Sequence, residues 1–192
     1  MTDPNLTLLE SAVRLLQPLL DELVFVGGCL KLHEDHREGA PTCRWRYEDL
    51  TIDVMPTDES VLGFSNRWYE LAIASGQSVE IAGLKIRLIT PVYFLATKLE
   101  AFRGRGNDDY SGSHDLEDVI AVVDGRPEIL EEIRDAPSDV RTYIASEMRR
   151  LLSTRAFVDA LPGFLWPDPA SQARHPILQD RLKALGHSDG KR

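Results

Sequence analysis

Apolar residues recur at helical spacing near the start of the chain: Leu8, Leu9, Ala12, Val13, Leu16, Leu19 and Leu20 fall on one face. The pattern predicts a helix over Leu6–Leu20, capped by Asn5 and ended or kinked by Pro18. Leu23–Val26 reads as a short buried strand. Gly27-Gly28 then turns the chain, and Cys29–His36 reads as a helix. Two strands follow, Cys43–Tyr47 and Leu50–Met55, joined at Glu48-Asp49. Val24–Val26 is expected to share one sheet with this pair. Asn66–Ser75 reads as a helix. A clearer hairpin is Ser78–Ile81 and Leu84–Leu88 about Ala82-Gly83, where apolar and polar residues alternate.

Beyond Leu88 the period becomes helical. Thr90 and Pro91 open a helix through Phe102. Gly104–Ser113, rich in glycine and aspartate, reads as a loop. Ser113 caps a helix to Asp124, and Pro127 and Pro137 mark the starts of two more. Pro162–Pro176 reads as an irregular linker before a last helix, Ile177–Leu185. Strands followed by helices indicate an α+β fold, a small mixed β-sheet with a C-terminal helical part.

Charge narrows the function classes. The chain has 31 acidic against 22 basic residues, a formal charge of −9. That balance excludes a protein that coats nucleic acid through a general cationic face. A local basic site stays open at Arg44, Arg46, Lys98, Arg103 and Arg105, with scattered solvated arginines as the alternative. Cys29 and Cys43 are not spaced as a CxxC pair and read as reduced thiols of a cytoplasmic protein. The opening MTDPNLTLLE lacks the pattern of a signal peptide, and no apolar run has membrane-spanning length, so no membrane partner is expected.

Four stretches could carry chemistry. Gly27-Gly28, between strand and helix, suits either a plain tight turn or a backbone that approaches a phosphate. Asp53 in LTIDVMP lies within an apolar strand; it either faces water or binds a hard cation. Lys98 and Arg105 precede a helix on which Asp115 and Asp118 share a face, which fits a salt bridge between helices or a Lys–carboxylate phosphate site. His33 and His36 in HEDH do not have the HExxH zinc spacing, and no third ligand accompanies them. Trp45, Trp68 and Phe64 read as core or groove aromatics.

FVGG after a first helix, LTIDVMP, TPVYFLATKLEAFRGR and HDLEDV, in this order, resemble the nucleotidyltransferase superfamily. The similarity is greatest to the AbiEii/AbiGii toxin-type nucleotidyltransferases and covers most of residues 20–125. The resemblance implies a nucleotidyltransferase-like part over residues 1–90 and a helical part over 91–192. It implies that Gly27, Gly28, Lys98 and Arg105 bind nucleotide. Asp53 corresponds to the third metal carboxylate, and Asp53, Lys98 and Asp115 form the catalytic set. Asp53 would then hold Mg²⁺, and nucleotide would pass from an NTP to an RNA or protein hydroxyl. These sequences imply an antitoxin as a further partner. One part of the pattern is missing: the family's paired-aspartate strand should follow Gly28, and only CLKLHEDHR stands there. Its Glu34 and Asp35 are adjacent and would point to opposite faces of a strand. The expectation is therefore weak or lost transfer. The alternative is a non-catalytic nucleotide- or protein-binding member of a toxin–antitoxin type system.

Overall fold

The computed structural model describes residues 4–26, 44–47, 50–53, 57, 58, 60 and 66–188. The fold is mixed α+β and mostly helical. The chain divides into two compact units, Met1–Thr90 and Pro91–Arg192.

In the first unit, helix α1 spans Pro4–Leu15. It starts one residue before Asn5, so Asn5 lies in its first turn rather than at its cap. Proline suits such a start because its missing N–H has no helical partner there anyway. The same property ends the helix. Pro18 cannot donate, and the chain tightens into a 3₁₀ turn over Gln17–Leu19. Val13, Leu20 and Ile86 form the buried centre of this unit, with Leu9, Leu16, Phe25, Val79, Ile81 and Leu84 packed around it.

Strands β1 (Arg44–Tyr47) and β2 (Leu50–Asp53) pair antiparallel, with Arg44 opposite Asp53. Helix α2 covers Tyr69–Ala74, shorter than expected. Strands β3 (Gln77–Ile81) and β4 (Leu84–Leu88) form the second antiparallel hairpin. Its turn places Ala82 at φ 53° and Gly83 at φ 78°. Two positive φ values match the right-handed twist of the flanking strands, so the two-residue loop fixes Ile81 opposite Leu84.

The segment before Gly27 does not pair as expected. Phe25 forms one parallel bridge to Leu88, and its N–H donates to Arg87 at 2.8 Å. Its carbonyl accepts from Ile89 at 2.9 Å. Phe25 thus joins the β3–β4 hairpin, not the β1–β2 hairpin. Packing of its ring on the Val13–Ile86 core accounts for the choice. Val26 is exposed, so Leu23–Val26 is not a buried strand.

The second unit is a helical assembly. Its helices are α3 (Pro91–Arg105), α4 (His114–Gly125), α5 (Ile129–Asp135), α6 (Ser138–Ser153), α7 (Arg155–Ala160), α8 (Pro169–Gln172) and α9 (His175–Gly186). Helix α3 packs on α4, α5 and α6, and α9 packs on the same three. The apolar stripe of α4 is Leu116, Val119, Ile120 and Val123, all buried. The stretch expected to be an irregular linker contains α8. Asp168 starts it, its Oδ1 accepting from the N–H groups of Ala170 and Ser171, each at 3.0 Å. No helix among the described residues is long and apolar enough to cross a membrane.

Candidate functional site

Two helix ends bring the candidate residues of the second unit together. Ser113, with extended backbone, accepts the Leu116 N–H on its Oγ at 3.3 Å. This cap starts α4 at His114 and sets Asp115 in the first turn, where a carboxylate complements the helix dipole. On the facing helix α3, Lys98 and Arg105 are seven residues apart, about two turns, and so share a face.

Lys98 Nζ lies 2.6 Å from Asp118 Oδ2 and 3.4 Å from Asp115 Oδ1. Arg105 donates from Nε to Asp115 Oδ2 at 3.2 Å, and from Nη2 to Oδ1 and Oδ2 at 3.2 and 3.1 Å. Asp115 is only 9% exposed, and a carboxylate at that depth is costly unless paired. Both of its oxygens are paired. Two cations face two carboxylates, so the cluster is formally neutral. Arg105 remains 63% exposed at its side chain, and its Nη1 makes no hydrogen bond among the described residues.

The connecting loop sets this spacing. Gly106 donates its N–H to the Phe102 carbonyl at 2.8 Å. A Cβ there would collide with that same oxygen and with the Phe102 ring, so a side chain does not fit. Asn107 and Asp108 follow in the left-handed region, at φ 47° and 57°. Asp109 Oδ1 accepts the N–H of Gly112 at 2.8 Å and that of Ser111 at 3.3 Å. Tyr110 anchors the loop between Phe102 and Phe157, with ring centroids 5.5 and 6.4 Å away.

The other expected residues belong to other parts of the chain. Asp53 ends β2 in the first unit and is exposed. Gly27 and Gly28 lie outside the described residues, as do His33, Glu34, Asp35 and His36. Arg103 does not join the Lys98 cluster; its Nη1 pairs with Glu147 at 3.2 Å.

Among the described residues, no group of three His, Cys, Asp or Glu side chains could hold a metal ion. The oxygens of Asp115 already accept from a guanidinium and an ammonium. Asp53 belongs to no group of three His, Cys, Asp or Glu side chains able to hold a metal among the described residues.

Glu147 was not legible as a site residue. It is 3% exposed, deep in α6, and holds two arginines. The only local signal was Arg150 three residues later, an ordinary helical pair. Comparisons with known protein families, curated proteins and solved structures find no match to this chain.

Proposed function

We propose that the chain is a nucleotidyltransferase-like protein that binds nucleotide phosphate, with transfer to an RNA or protein hydroxyl weak or lost. The observation that carries this reading is the Lys98–Asp115–Arg105 cluster. Two cations are oriented by a nearly buried carboxylate while Arg105 keeps an outward N–H edge. A guanidinium held this way meets phosphate with little ordering cost. The residue types and order also resemble the helical Lys–Asp pair of that superfamily.

The deficit rests on the sequence after Gly28, CLKLHEDHR, in which no two aspartates stand one residue apart. The non-catalytic reading, a nucleotide- or protein-binding member of a toxin–antitoxin type system, gains from the saturation of Asp115. An acid whose oxygens are all engaged holds helices together.

The test measures two things on the purified chain: binding of NTP, and incorporation of labelled NTP into a mixture of RNA and protein with Mg²⁺ present. Binding weakened by Lys98→Ala and Arg105→Gln, with little incorporation, is the expected result. Robust incorporation abolished by Asp53→Asn would show a full enzyme. Absence of any nucleotide binding would remove the reading.

A further inference from the structure

A second cationic feature lies on the other side of α3. Arg103 and Arg105 are two residues apart, about 200° around a helix, so they point to different faces. Arg103 turns toward α6. Its Nη1 donates to Glu147 Oε1 at 3.2 Å, while Arg150 Nε donates to Glu147 Oε2 at 2.9 Å. One nearly buried carboxylate thus holds two guanidiniums from two helices.

One cation would neutralise Glu147. The second sits beside a like charge, and each guanidinium has a single N–H on that carboxylate. The remaining N–H groups of both have no acceptor among the described residues. Both arginines line one groove of about 180 Å³, with Phe102, Gly104, Asn107 and Asp108. Asp108 is engaged at its Oδ1 by the Tyr110 hydroxyl at 2.8 Å.

We propose that Arg103 and Arg150 form a groove that binds a phosphate group, separate from the Lys98–Asp115 cluster. The choice of phosphate follows from the two forks. A carboxylate offers only two oxygens, in one plane. A tetrahedral oxyanion presents separate edges to two, and Glu147 holds the two in place before it arrives. Asp108 and the carboxyl-terminal end of α3 both repel an anion, which weakens the hold on a single phosphate.

The test titrates the full chain with inorganic phosphate, AMP and a short oligoribonucleotide lacking terminal phosphates, while the Nε–Hε signals of Arg103 and Arg150 are followed by NMR. Saturable shifts of both signals with at least one probe are expected. Which probe acts separates free phosphate, a phosphate monoester and a phosphodiester backbone as the source. Arg103→Gln and Arg150→Gln each leave Glu147 one guanidinium, and each should weaken binding about tenfold, some 1.4 kcal/mol. Melting curves check that the variants fold, and Arg150→Lys gives a second, milder change. Lys98→Ala should leave the shifts intact, so failure of the nucleotide site and failure of this groove are distinguishable. No saturable shift with any probe, shifts unchanged in both Gln variants, or equal response to acetate would overturn the proposal.

Discussion

Arg105 and Asp115 stand ten residues apart in the chain and share three hydrogen bonds across the gap between α3 and α4. The acid is nearly buried and the base is mostly exposed. Such a pair contributes less through its net Coulomb energy than through the cost of breaking it. Losing one partner strands the other.

That asymmetry separates two variants. Asp115→Asn removes the charge that Lys98 and Arg105 share, and should lower the stability of the full chain by about 1–3 kcal/mol in urea unfolding. Arg105→Gln removes an exposed group, but leaves Asp115 with Lys98, and should cost less. Equal losses would mean that Asp115 does not depend on its pairing.

Two glycines at the end of α3 should respond with opposite signs to the same change. Gly104 is helical with open space at its Cβ position. Gly104→Ala should stabilise the helix by about 0.5–1 kcal/mol. Gly106→Ala would drive a methyl group against Phe102, and should destabilise by at least about 1–3 kcal/mol. Thermal melts of the two variants decide the matter.

The β3–β4 turn carries a removable strain. Ala82 holds φ 53°, where an L side chain crowds its own backbone. Ala82→Gly or Ala82→Asn should stabilise the chain by about 0.5–1 kcal/mol, since both residues accept that region. A drop in melting temperature for both would count against the turn.

Acid should weaken the second unit through one exposed pair. Arg126 Nε donates to Glu132 Oε2 at 2.9 Å. This hydrogen bond holds the Glu132 carboxyl below the usual glutamate range, against a smaller opposing effect of burial. A depressed folded-state pKa means the contribution is complete above the unfolded value. It is lost as pH falls through the lower, folded value. Unfolding followed from neutral pH downward should therefore show a shallower acid loss in Glu132→Gln than in the parent.

Much of the helical unit was legible because caps and periodicity agree there. Pro91 opens α3, Ser113 caps α4, and Lys98 meets both Asp115 and Asp118, as their common face implied. The pairing of Phe25 was not legible, because a short apolar strand carries no label for its neighbour. Only packing on Val13 and Ile86 selects Leu88. Asn5 was misplaced as a cap because Pro4 offers a competing start. The Glu147 cluster was hidden for another reason: Arg103 lies 44 residues away, beyond any local pattern.

Tyr110 gives the α3–α4 loop a property that loops usually lack. Its ring is clasped by Phe102 and Phe157, and Phe157 is wholly buried. The polar cluster therefore draws rigidity from the apolar interior as well as from its own ion pairs. Warming or mild denaturant should leave the spacing of Arg105 and Asp115 unchanged until the helices themselves melt. The cluster would then vanish in the same cooperative step, with no prior loosening.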